Sequence, residues 1–240
     1  MEEQDDINYL DHLRNIKLNK GDAVKDLELT WEMAGLLCEE IYKNAQSLSL
    51  DALLLKEHNR LSRSISLAVL AIEEIGKMDI VRRIFRCKDS NQRTKLWNDF
   101  RNHKAKNNQW VFYYLKINNA TKKDYDDIVG KEKNASKFLD GLKMSSFYVD
   151  IDNKGTVYNP DHLDERLSSE IIEAMMALIV NTPQNLYSSA YFGVLNEIIN
   201  EDGSYSQLEL YTKLFESGII EEAQLRAIIT NMIDISLEKS

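Results

Sequence analysis

The sequence predicts an all-α protein, and three observations carry that prediction. Proline and glycine are scarce, 2 and 9 in 240 residues, far fewer than the tight turns of a sandwich or barrel consume. Apolar or small residues recur from Leu27 through Trp31, Ala34, Cys38, Ile41, Ala45, Leu48, Ala52 and Leu55 at alternating steps of four and three, the seam of a long helix. Hydrophobic residues make up 43% of the chain and charged residues 29%, a balance that at this length buries a real core and excludes disorder throughout.

The seam predicts one helix over about residues 23–57, preceded by an N-terminal tail of residues 1–22 and opening a single helical domain that runs to residue 240. After the polar break His58-Asn59-Arg60, the stretch from Leu61 to Arg86 is apolar nearly all round between Ile65 and Ile72, which marks the most buried helix of a bundle. The short connection makes these two an antiparallel hairpin. Asp89 or Ser90 can cap a third helix reaching about Lys106, and a polar, Lys-rich stretch of weaker periodicity follows to about Lys143. Residues 146–158 change rhythm: β-rich segments flank an Asp152 to Gly155 turn, predicting a small β-hairpin excursion. Helices resume near Leu167, with breaks at Pro183, Asp202-Gly203 and Gly218, and the last ends near Leu237.

Two cysteines, Cys38 and Cys87, cannot build a disulfide framework, and the first residues are acidic where a leader peptide is basic. Both features point to the cytoplasm. Ala174 to Asn196 carries no formal charge over 23 residues, but its Asn, Gln, Thr and Ser side chains and Pro183 are incompatible with a bilayer, so no membrane association is expected. The pattern Glu-Glu-Ile-x-Lys at 39–43 recurs at 73–77, a 34-residue period that lacks a third copy and reads as a common helix-surface pattern rather than a repeat.

The net charge of −9 is unevenly placed: Arg82 to Lys143 holds 16 basic and 7 acidic residues, a net of +9, which leaves −18 for the rest. Its densest part, Arg82 to Lys106, includes Arg93, Lys95, Arg101 and Lys104, with Trp97, Phe100 and Trp110 interleaved or adjacent. Basic side chains with nearby rings suit a phosphate backbone and unstacked bases, so these four are the candidate RNA contacts. The same charges also suit a face that docks on the acidic remainder of the chain.

Glu73, Glu74 and Lys77 follow the most apolar stretch directly. Glu73 shares a helical face with Val69 and Leu70, where an ionised carboxylate is costly unless paired; Lys77, one turn on, is the partner the helix offers, and Glu74 is expected nearer solvent. His103 and Lys106 stand three apart, with Arg101 and Lys104 beside them. In that positive field the imidazole is expected to stay neutral and to serve as a base toward a ribose 2′-hydroxyl, with the lysines stabilising charge on phosphorus. A metal site from Glu39, Glu40, Glu73, Glu74 and His103 is disfavoured because the chain has no Glu-x-x-His pair, and neither metal nor cofactor is expected.

Four elements in order, Asn44-Ala45-x-x-Leu48-x-x-Asp51-Ala52-x-Leu54-Leu55, Leu67-Ala68-x-x-Ala71-Ile72-Glu73-Glu74-Ile75-Gly76-Lys77, Phe100-x-x-His103-x-x-Lys106 and Tyr148-Val149-Asp150 with a later Pro, resemble the AbiV family of abortive infection proteins. The resemblance implies a bacterial HEPN-type helical bundle that shuts down the cell infected by a bacteriophage, with Glu73, Glu74, Lys77, His103 and Lys106 as its focal cluster. Many members of the wider HEPN superfamily are dimeric, metal-independent ribonucleases with an Arg-x4-6-His motif. None of the four histidines here has an Arg five to seven positions before it, so ribonuclease activity does not carry over from that motif. The expectation is therefore a homodimeric effector acting on RNA or translation. The alternative is a non-catalytic helical module that binds a phage-encoded or host protein.

Overall fold

The computed structural model describes residues 26–103, 106, 132–151, 153–160, 163–202 and 206–237. The N-terminal tail, Lys104, Trp110, Asp152 and Gly203 lie outside the described residues. The chain is all-α apart from one two-stranded sheet. In order it forms α1 (Trp31–Glu57), α2 (Leu61–Arg86), α3 (Ser90–Arg101), α4 (Glu132–Phe147), β1 (Asp150–Ile151), β2 (Val157–Tyr158), α5 (Glu165–Asn181), a 3-10 turn (Gln184–Tyr187), α6 (Ser189–Asp202), α7 (Gln207–Glu216) and α8 (Glu222–Leu237).

Helix α2 is the axis on which the others lean. It packs against α1, α3, α4 and α5, while α6 packs on α1 and meets α7, which in turn meets α8. Its burial matches the apolar run: Ile65, Ala68, Val69, Ala71, Ile72, Ile75, Ile80 and Val81 are all in the core. Small polar residues let neighbours come close at its N-terminal end. Ser64 Oγ donates to the Ala52 carbonyl of α1 at 2.7 Å, Ser66 and Ser146 share a hydroxyl hydrogen bond of 2.5 Å to α4, and Ser62 Oγ reaches the Pro160 carbonyl.

The expected seam packs α1 onto this axis through Ala34, Cys38, Ile41, Ala45 and Ala52. The helix starts later than its periodicity suggests. Thr30 caps it, its hydroxyl accepting from Met33 N at 3.3 Å, and residues 26–29 run as an extended strap instead. The strap has its own anchors: the Leu27 carbonyl accepts from Trp97 Nε1 at 3.0 Å and Asp26 bonds to α3. At the other end Asn59, with φ of 55°, takes the left-handed conformation that stops α1, and the Arg60 amide closes on the Leu55 carbonyl at 2.8 Å. Asn tolerates that conformation better than most residues.

The hairpin after α4 pairs Asp150 with Tyr158 and Ile151 with Val157 in antiparallel register, its turn closed through Gly155 at φ +82°. Asp164 caps α5 by accepting from Leu167 N at 2.8 Å. α5 gives way at Thr182 and Pro183, and Gly218 at φ +69° ends the α7 turn. Among the described residues no helix is long and apolar enough to cross a membrane.

One close approach is testable. Gly35 of α1 lies against the backbone of Ser189 at the start of α6, and a Cβ there would overlap Ser189 N and Cα. Gly35→Ala improves intrinsic helix propensity by about 1 kcal/mol, yet it is expected to destabilise the protein by a net of about 1–3 kcal/mol because α6 must move away. Urea or thermal unfolding measures the sign.

Candidate functional site

Glu73 sits at mid-length on α2 with its side chain only 2% exposed. A carboxylate in that position needs partners that replace water on both oxygens. Oε1 accepts from Lys143 Nζ of α4 at 2.8 Å, and Oε2 faces Nδ1 of His103 at 2.7 Å. Lys77 is not its partner, as helical spacing had suggested. Lys77 pairs with Glu74 three residues before it and lies over the Phe100 ring at 5.4 Å. The physical reason is direction: Glu73 points across α2 toward α4, while Glu74 and Lys77 share an adjacent, part-exposed face. Glu73 is thus the more buried of the two glutamates, as the helical wheel suggested.

His103 and Lys106 do not ride on α3. That helix stops at Arg101, where Asn102 turns to an extended conformation with ψ of 120°. The chain then folds back over α2, and the Lys106 amide bonds to the Asn102 carbonyl at 3.3 Å. This approach explains the glycine between Ile75 and Lys77. A Cβ on Gly76 would collide with the Lys106 carbonyl oxygen and lie 3.1 Å from its carbon. Any side chain at 76 would therefore push Lys106 away from α2.

The sequence reading missed Lys143, the residue that completes the cluster. It is 8% exposed, bonded to Glu73 and 3.4 Å from Asp140. The signal was present: Lys143 lies with Leu139, Leu142 and Ser146 at helical spacing, and all four are buried. A lysine on the inward face of an amphipathic helix needs a carboxylate.

The candidate RNA contacts separate. Lys95 and Arg101 are exposed. Arg93 is a strut instead: its side chain is 8% exposed, Nε bonds to Asp26 at 2.8 Å and an Nη to the Cys87 carbonyl at 2.9 Å. Hydrogen bonds from Ser90 and Arg93 hold the Asp26 carboxyl below its ordinary pKa. Trp97 is in the core, with Phe100 edge-on against it at 5.5 Å, so neither ring lies free to stack on a base. Glu39 and Glu40 are exposed on α1 and paired to Lys43, and they do not join Glu73. Among the described residues no group of three His, Cys, Asp or Glu is placed to hold a metal ion. Cys38 is sealed in the core, where burial pushes its thiol up to about 12, far from reactivity.

The arrangement can do one kind of chemistry well. Glu73, itself locked by Lys143, faces Nδ1, so in the neutral ring it favours the proton there and leaves the Nε2 lone pair on a side chain that is 53% exposed. The sequence had surrounded His103 with cations alone, whereas the structure gives it an anionic neighbour at 2.7 Å. A carboxylate-oriented imidazole beside lysines is the equipment of general acid–base catalysis on an anionic substrate.

Two stability predictions follow from these pairings. Lys143→Met leaves Glu73 buried without its strongest partner and is expected to cost about 3–5 kcal/mol, whereas Lys77→Met, at a part-exposed pair, should cost about 1 kcal/mol or less. Denaturant titrations of both variants give the comparison, and a Lys143→Met/Glu73→Gln double variant should recover part of the loss. Gly76→Ala is expected to displace Lys106 from α2 while leaving the helix content of α2 intact, measurable as unchanged far-ultraviolet dichroism with a lower melting temperature.

No curated protein and no solved structure matches the chain. The family model for AbiV matches residues 36–180, a span that contains most of α1, all of α2, the Glu73 cluster and the β-hairpin. With more than half of its length matched, and with an α-helical architecture that agrees, this chain belongs to the AbiV family of HEPN-type abortive infection proteins.

Proposed function

We propose that the protein is an effector of anti-bacteriophage defence that acts on RNA or on translation in the infected cell, with His103 as its acid–base group. The observation that supports this most directly is the chain of contacts Lys143, Glu73, His103, which orients the imidazole and leaves its other edge accessible. In this reading Nε2 takes the proton of a ribose 2′-hydroxyl and the 2′-oxygen bonds to the adjacent phosphorus. The bond from phosphorus to the 5′-oxygen then breaks, the leaving oxygen is protonated by solvent, and a 2′,3′-cyclic phosphate remains. Lys77 and Lys106 supply the positive field that an Arg provides in the HEPN ribonuclease motif. Lys95, Arg101 and Lys104 would steer the phosphate backbone toward the cluster. A cytoplasmic homodimer, with the two clusters near a common axis, is the assembly this reading favours.

A second reading has its own observation. Tyr148, Val149, Ile151, Val157 and Tyr158 are 50–67% exposed around the β-hairpin, an apolar surface of the kind that meets a protein partner. The protein would then be a binding module for a phage-encoded or host protein, with the Glu73 pairings purely architectural.

Phage challenge of cells expressing His103→Ala separates the two. Because the ring is half exposed, its removal admits water to Glu73 Oε2 in place of Nδ1, and the variant should melt within a few degrees of the wild type, where about 1 kcal/mol corresponds to ~2–4 °C at this size. Protection should nevertheless be lost. Purified protein incubated with total RNA, with and without chelator, is expected to cleave it in a manner that His103→Ala abolishes and that weakens steeply with salt. Full protection by a folded His103→Ala variant selects the binding-module reading instead.

A further inference from the structure

Charges taken out of water are ordinarily paired, and the Glu73 cluster follows that rule at every position but one. Glu73 is held by Lys143 and His103, Glu74 by Lys77, and Lys143 also by Asp140. Lys106 is 5% exposed. Among the described residues it makes no ion pair and no side-chain hydrogen bond. The two carboxylates that attract it, Glu73 and Glu74, are already engaged, and Lys77 and Lys143 repel it. Burial, and then Lys77, lower its pKa for that reason. The ammonium tip is nevertheless reachable. A lysine carries its charge at the end of a long apolar stem, so a residue this buried can still present Nζ at the edge of the cluster.

We propose that Lys106 anchors a phosphate-binding subsite, and that the counter-charge Lys106 lacks is the phosphate group of the ligand. Lys77 and Lys143 each face a carboxylate of their own, which leaves the Lys106 ammonium to meet the single negative charge of a phosphodiester. The group is carried either by an RNA backbone or by a free nucleotide. The inference deepens the proposed acid–base reading and rests on it for the reacting group, since a phosphate held at Lys106 brings its ester oxygens to the cluster that holds the His103 imidazole. The main-chain seat is already built, because Gly76 lets residue 106 settle directly on α2. Lys77 and Lys143 cannot take this role without giving up Glu74 or Glu73.

The test is thermal unfolding of the full-length protein at constant ionic strength in chloride, inorganic phosphate, a mononucleotide, or a short single-stranded RNA. Phosphate is expected to raise the wild-type melting temperature by several degrees. Lys106→Met should lose that shift, while His103→Ala should keep it. Without ligand, Lys106→Met should melt higher than the wild type, because it removes an unmatched buried charge; Lys106→Gln provides the same comparison if the Met variant is insoluble. A larger shift with RNA than with the mononucleotide assigns the phosphate to a nucleic-acid backbone, and equal shifts assign it to a free nucleotide. An undiminished phosphate shift in Lys106→Met overturns the subsite and leaves the His103 reading standing. A ligand-free Lys106→Met or Lys106→Gln variant less stable than the wild type overturns the claim that Lys106 lacks a partner. Loss of RNA cleavage in His103→Ala with the phosphate shift intact supports both readings, and absence of cleavage altogether with the Lys106-dependent shift intact supports the subsite alone.

Discussion

A single buried carboxylate organises this end of the bundle. Glu73 is 1% exposed in the middle of the most apolar helix, a position that is unfavourable for an ionised group until both oxygens are bonded. Its two partners come from different segments of the chain. Lys143 is brought by α4 and His103 by the stretch that follows α3. The same carboxylate therefore recruits two elements and fixes their register on a third. Gly76, one turn further along, removes the side chain that would hold the returning backbone at a distance. Ser66 and Ser146 make a second polar contact between α2 and α4 near the helix ends, so α4 is held at two points along its length.

The contrast between the two Glu-Glu-Ile-x-Lys segments shows how little a short pattern determines. At 39–43 both glutamates are exposed and share Lys43 on the surface of α1. At 73–77 one glutamate is enclosed, the other is part-buried, and Lys77 serves only the second. The residues and spacing are the same, and the surroundings differ because α1 turns this face to water while α2 is packed by α1, α3, α4 and α5. The basic segment divides in the same way. Arg93 spends its charge on Asp26 and a carbonyl to hold the strap before α1, whereas Lys95 and Arg101 stay on the surface. Counting positive charges along the sequence therefore overstates the charge available to a polyanion.

Orientation and field come from different residues in this site. The Glu73 carboxylate orients the His103 ring, and Lys143 holds that carboxylate in place. The buried Lys106 adds a positive charge that no side chain among the described residues neutralises. Placing an unmatched charge in a folded protein sacrifices stability, a sacrifice that functional sites often make. The absence of an Arg-x4-6-His motif removes one chemical route to polarising a phosphate, and in the proposed reading lysine takes that part.

Much of the architecture was readable from local pattern. The alternating steps from Ala34 to Leu55, the apolar run of α2, the Asp89 cap of α3, the break at Pro183 and the turn at Gly155 all express rules that act within a few residues. The AbiV elements likewise marked Glu73, Glu74, Lys77, His103 and Lys106 before any fold was known. What the local rules could not supply was the partner of Glu73. Helical spacing offers Lys77 on the same helix, but the side chain points across the bundle to a lysine 70 residues away. Likewise the start of α1 moved from residue 23 to Trp31, because Asp26 and Leu27 find hydrogen bonds on α3 that outweigh another turn of helix. Periodicity specifies which face of a helix is buried. Which charged groups meet on that face is decided by the packing of distant segments, since only tertiary contact can replace the water a carboxylate loses.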